Sequence, residues 1–76
     1  MPTYRDVDGD SGVISFEYGP DWIEVEFEEG ANRIYRYTYL SVGSEHVEKM
    51  KRLADSGEGL NSYINRYAAR RYALKR

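Results

Sequence analysis

The chain has 76 residues, 41% of them hydrophobic and 32% charged, with a formal net charge of −2. A chain this short buries only about 60% of the surface its unfolded form exposes, so it holds one domain and one small core, which excludes a multi-domain enzyme and a large cofactor cradle. The absence of cysteine excludes disulfides, thiolate metal sites and cysteine nucleophiles and points to a reducing, cytoplasmic home, while apolar runs of two or three residues cannot span a membrane and Met1-Pro2-Thr3-Tyr4-Arg5-Asp6 opens no signal peptide.

Residues 1–12 read as a flexible acidic lead-in. Asp6, Asp8 and Asp10 alternate, Gly9 and Gly12 interrupt, and no apolar period forms, so no stable element is expected before Val13. Asp6-Val7-Asp8-Gly9-Asp10-Ser11-Gly12 resembles part of a calcium loop. That loop needs a bidentate acid about six residues past its glycine, and Ser15 with a following strand does not supply one. A metal site is not expected there.

Val13 to Tyr18 reads as the first strand, with Ile14, Phe16 and Tyr18 on one face and Ser15 and Glu17 on the other. Gly19-Pro20-Asp21 stops it in a tight turn. Trp22 to Glu28 is the clearest element. Ile23, Val25 and Phe27 alternate with Glu24, Glu26 and Glu28, the pattern of a half-buried antiparallel strand with its acids toward water. Arg33 to Leu40 is the third strand, after a turn over residues 29–32. Tyr35, Tyr37 and Tyr39 share one face, which we place inward because Arg36 and Thr38 make poor core. A two-residue loop at Glu29-Gly30 would put Ile34 opposite Val25 and argue the reverse, and a slip of one residue exchanges the faces.

After Gly43 the period changes. Ser44 is a fair N-cap, and Val47, Met50, Leu53 and Ala54 recur at helical spacing. Gly57-Glu58-Gly59 is an interhelix turn, too short for a phosphate loop and without its lysine. The last helix is expected over residues 60–74. Its apolar face is Leu60, Tyr63, Ile64, Tyr67, Ala68 and Leu74, and its polar side carries Arg66, Arg70, Lys75 and Arg76, with the stem of Arg71 along the seam. Strands segregated from helices make an α+β fold: a three-stranded antiparallel meander packed against two C-terminal helices, within a single domain over residues 13–76.

The middle and end of the chain resemble the KTSC domain, a small domain found at the C-terminus of some lysyl-tRNA synthetases and alone in small bacterial proteins. The matching residues are Val25-Glu26-Phe27, Gly30, Tyr35-Arg36-Tyr37, Ser56-Gly57 and Asn61-Ser62-Tyr63-Ile64. The stretches from Phe27 to Tyr35 and from Tyr37 to Ser56 are longer than that pattern. The resemblance implies an RNA-binding role, suggested for the family by its attachment to a tRNA synthetase, and brings no catalytic residue with it.

Charge is unevenly placed. Residues 1–48 hold eleven acids and three bases; residues 49–76 hold eight bases and two acids. Arg66, Arg70 and Arg71, with Lys75 and Arg76, put five cations in eleven residues, and arginine forks fit phosphate oxygens. Against this stand a merely solvated helix face, internal neutralisation by Glu24, Glu26 and Glu28, and a sequence pI near 5.3, low for a nucleic-acid binder. Eight tyrosines allow Tyr35 and Tyr37 to stack bases if exposed, or else to fill a core short of other aromatics. His46, the single histidine, has no nucleophile arranged beside it and reads as a helix-surface residue. No acid/base, nucleophile or cofactor set emerges. The expectation is a non-catalytic binding module for RNA, using Tyr35, Tyr37, Arg66, Arg70 and Arg71. The alternative is a protein-interaction or self-association module anchored by the same tyrosines and arginines.

Overall fold

A computed structural model describes residues 3–5, 12–28, 30 and 33–76. Among these described residues four strands and three helices follow in the order β1 (Val13–Gly19), β2 (Trp22–Phe27), β3 (Ile34–Thr38), α1 (Tyr39–Val42), α2 (Ser44–Ser56), α3 (Leu60–Tyr63) and β4 (Leu74–Lys75), with a π-helical turn over Ile64–Ala68 continuing α3. The strands form one antiparallel sheet in the order β1-β2-β3-β4. The α+β class therefore holds, and the sheet carries one strand more than the meander read from the sequence.

The β1–β2 hairpin closes on Pro20-Asp21, with Gly19 opposite Trp22. In β2 the apolar half of the period-two pattern holds at Ile23 and Val25, which are buried in the core, while Glu24 between them is buried as well. Register across β2 and β3 sets Ile23 opposite Tyr37 and Val25 opposite Tyr35, so the tyrosine face is the inner one. Tyr39 has left the strand, because Thr38 and Ser41 form a reciprocal capping box that starts α1 there. Ser44 does not cap α2. The position before it is Gly43, at φ 99°, and Ser44 is the first helical residue. Gly57 and Gly59, at φ 79° and 78°, make the turn between α2 and α3, a left-handed geometry that costs other residues about 1 kcal/mol.

β1 departs from simple alternation. A bulge between Val13 and Ser15 sets Val13 opposite Phe27 and Ser15 opposite Glu26, leaving Ile14 as the extra residue. Val13, not Ile14, therefore joins Phe16 in the core. The bulged residue's carbonyl accepts the N–H of Tyr4 at 2.8 Å, and Thr3 bridges to Ser15. Tyr4 is buried, and its hydroxyl accepts the Leu60 N–H at 3.2 Å, serving one of the first-turn amides of α3. The reading of residues 1–12 as a free lead-in is thus corrected at Tyr4. The alternating aspartates at 6, 8 and 10 lie outside the described residues, as do residues 29, 31 and 32 of the turn before β3.

The largest correction concerns the tail. The helix begun at Leu60 ends at Ala68, and residues 74–75 run back along β3. Alanine and arginine favour helix, but propensity is a weak prior. The free edge of β3 offers unpaired backbone groups, and the tail takes them: Arg76 N–H to Ile34 O at 2.8 Å, Ile34 N–H to Arg76 O at 2.9 Å and Ala73 N–H to Arg36 O at 2.7 Å. Leu74, expected on the apolar helix face, is exposed in β4.

The core fills the space between the sheet and the helices. Its largest fully buried side chains are Tyr37, Ile23, Met50, Leu60, Val25 and Val47. No helix among the described residues is long and apolar enough to cross a membrane.

Candidate nucleic-acid interface

The nine residues from Leu60 to Ala68 present distinct faces. Leu60, Ile64 and Ala68 are buried against the sheet. Tyr63 and Tyr67 turn toward α2, where His46 meets both. Asn61 and Asn65, with Ala69 beyond, face the open end of the sheet, and Ser62, Arg66 and Arg70 face water.

The outward face is cationic. Arg66, Arg70 and Arg71 are exposed, and none has a carboxylate partner among the described residues. Internal neutralisation consumes Arg76 instead. Its guanidinium lies 3.0 Å from Glu24 Oε1, while Arg36 sits 2.7 Å from Glu24 Oε2. Glu24 is 2% exposed, which corrects the picture of an acidic ladder facing water. Trp22 covers the same ion pair, its ring centroid 4.4 Å from the Arg36 guanidinium carbon. Glu26 accepts from the Ser15 hydroxyl at 2.8 Å.

Beside the arginines lies an aromatic cluster whose members the sequence pattern places in the core or on a bare surface. His46 Nδ1 and the Tyr63 hydroxyl are 2.6 Å apart. The His46 ring stacks on Tyr67 at 5.5 Å and 25°, and the Tyr63 and Tyr67 centroids are 4.8 Å apart. Burial, then the neighbouring Tyr67, raises the Tyr63 phenol above its ordinary value. Tyr67 is 44% exposed, and the Arg66 guanidinium sits 5.7 Å from its ring centroid. An exposed ring backed by a histidine and flanked by arginine is the arrangement on which an unpaired base can stack. The i, i+4 spacing of Tyr63 and Tyr67 is visible in the sequence. That α2 sets His46 against them is not.

Tyr35 and Tyr37 behave otherwise than as stacking platforms. Tyr37 is 1% exposed, so its ring face is closed to any base, and Arg36 between them is tied to Glu24. Burial, then the neighbouring Tyr35 and Tyr72, pushes the Tyr37 phenol far above its ordinary value. Tyr35 is half-buried, edge-on to Phe27 at 5.5 Å and to Tyr72 at 5.1 Å. Of the five residues named from the sequence, the three arginines therefore lie on the surface strip, Tyr37 lies inside and Tyr35 is half-buried.

Between α3 and the open end of the sheet is a cavity of about 340 Å³. Phe27, Tyr35 and Tyr37 form its sheet wall; Asn61, Asn65 and Ala69 form its helix wall. Compared with protein-family models, with curated proteins and with solved structures, the chain finds no match in any of the three.

Proposed function

We propose that the chain is a non-catalytic module that binds single-stranded RNA through Arg66, Arg70 and Arg71, with Tyr67 as the stacking ring. The observation that carries this reading is the division of the acidic and basic side chains. Glu24 is spent on Arg36 and Arg76, and the other three tail arginines have no acidic partner among the described residues. Guanidinium groups in that position are available to phosphate oxygens, and contacts of this kind hold a strand without reading its sequence. The likeness to the KTSC domain, the RNA-binding role it implies and a cytoplasmic setting belong to the same proposal. Stacking passes from Tyr35 and Tyr37 to Tyr67, because Tyr67 is the more exposed ring and stands beside Arg66.

A labelled single-stranded RNA titrated at two salt concentrations tests it. Phosphate-driven binding weakens steeply as salt rises, because each neutralised phosphate releases condensed counterion. Absence of binding at low salt ends the proposal. The second reading, a protein-interaction or self-association surface, is favoured by one feature: Leu40 stands fully in solvent next to the exposed Tyr39. Its sign would be an oligomer in sedimentation that is insensitive to salt and dissociates on Leu40→Ser.

A further inference from the structure

We propose that the cavity between α3 and the sheet takes the base of an unpaired nucleotide, held at its edge by Asn61, Asn65 and Tyr37, with the attached phosphate within reach of Arg66 and Arg70. This assignment deepens the RNA-binding reading and rests on it for the source of the base.

Tyr37 points to the cavity first. It is almost wholly enclosed by the protein, being 1% exposed, and its hydroxyl makes no hydrogen bond to any described residue. Yet no enclosed side-chain nitrogen or oxygen is left without a partner among the described residues. The two facts agree only if the hydroxyl is the part of Tyr37 that reaches open space, and the space Tyr37 lines is this cavity. A buried phenol with no hydrogen-bond partner among the described residues, at the wall of a cavity, is poised for a ligand's polar atom.

The helix wall points the same way. Asn61 and Asn65 line the same cavity, and neither side-chain amide bonds to another described residue. Two successive steps of four residues along an α-helix rotate about 80° around its axis, which would carry Ala69 away from Asn61. The π-helical turn over Ile64–Ala68 turns less per residue and brings Asn61, Asn65 and Ala69 back onto one wall. Small Ala69 leaves the wall open where a longer side chain would fill it. Arg66 and Arg70 each follow the wall residues Asn65 and Ala69 by one position and are exposed at the rim.

The lining defines the ligand. Phe27 and Tyr35, edge-on to each other at 5.5 Å, give apolar contact for a flat ring. Each asparagine amide offers one acceptor and two donor hydrogens, the complement of a base edge that pairs a ring nitrogen with an exocyclic amine. The Glu28 carboxylate at the lining accepts but cannot donate when ionised, so it suits that amine and disfavours a carbonyl. Adenine and cytosine fit this set; uracil, with carbonyls at those positions, fits it worse. A volume of about 340 Å³ is at the lower end for small-molecule sites and suits one base.

The test titrates adenosine, cytidine and uridine into the full chain, followed by the side-chain amide signals of Asn61 and Asn65 in NMR. Adenosine and cytidine should shift both pairs, with uridine at least about five-fold weaker. Asn65→Leu, at an exposed position compatible with folding, should weaken adenosine about ten-fold while leaving the salt dependence of RNA binding unchanged. Adenosine monophosphate should bind more tightly than adenosine, and that increment should vanish in Arg66→Ala/Arg70→Ala. Unmoved asparagine signals overturn the proposal, as do shifts confined to His46 and Tyr67 or equal response to uridine. Nucleosides carry no phosphate, so loss of RNA binding would sink the module reading without touching this measurement. An oligoadenylate bound well above the mononucleotide assigns the base to a strand; equal affinities assign the same cavity to a free nucleotide.

Discussion

Arg76 and Glu24 are ion-paired at 3.0 Å across 52 positions of sequence, and the carboxylate between Arg76 and Arg36 is almost wholly removed from water. That pairing does two things. It completes the outer face of the sheet with β4, and it takes Arg76 out of the cationic strip.

The pairing predicts an unequal set of stability losses. Arg36→Met leaves a buried carboxylate with one partner that is itself 58% exposed, and should cost about 3 kcal/mol. Arg76→Ala leaves the shorter, better buried pair intact and should cost about 1 kcal/mol or less. Urea unfolding at neutral pH measures both. Hydrogen exchange at the amides of Ala73 and Arg76, which hold β4 to β3, should quicken in the Arg76 variant first.

The same pairing separates Arg76 from its neighbours in RNA binding. Alanine at Arg66, Arg70 or Arg71 should lower the log–log salt slope by about 0.7 for each phosphate that is no longer neutralised, with stability changed by no more than about 0.5 kcal/mol. Arg76→Ala should leave the slope where it was. A slope reduced equally by all four would mean that the Glu24 pair opens on binding.

Tyr4 should matter although it stands in a stretch that reads as polar and irregular. Tyr4→Phe removes the hydroxyl that accepts the Leu60 N–H at 3.2 Å and should cost about 1 kcal/mol. Tyr4→Ala also empties a core position and should cost about 3–5 kcal/mol. Thermal unfolding of the two variants gives the comparison.

Alkaline pH should destabilise the fold. Burial raises the Tyr37 phenol above its ordinary 10.0, and Tyr18, Tyr39 and Tyr63 are raised as well, the first two by hydrogen bonds to Asp55 and Glu48. Above pH 10 the unfolded chain gives up protons that the native chain keeps, so the unfolded state binds fewer protons and stability falls as pH rises. The contribution is complete below pH 10 and is lost from there upward. Spectrophotometric titration should show Tyr37 ionising only with unfolding, and Tyr37→Phe should flatten the loss above pH 10.

What was readable from the chain alone was local. The alternation of Ile23, Val25 and Phe27 with glutamates needs only the strand's period of two to mark an inner face. The spacing of Val47, Met50 and Ala54 needs only the helical period, and Gly57 and Gly59 mark a turn because few other residues accept their φ. The α+β class follows from those signals and their order. The tertiary structure decided everything that depends on which edge or face is left open. Residues 70–76 contain no helix-stopping glycine or proline, and they leave the helix because the free edge of β3 and the Glu24 carboxylate lie within their reach. Tyr37 and Tyr67 are the same residue type in similarly apolar patterns. One is buried in the core with only its edge at the cavity and the other is exposed beside Arg66, because packing energy depends on the opposing surface, which no local pattern encodes. The cavity between Tyr37 and Asn61 is the gap left between two such surfaces, and it exists only once the sheet and the helix have met.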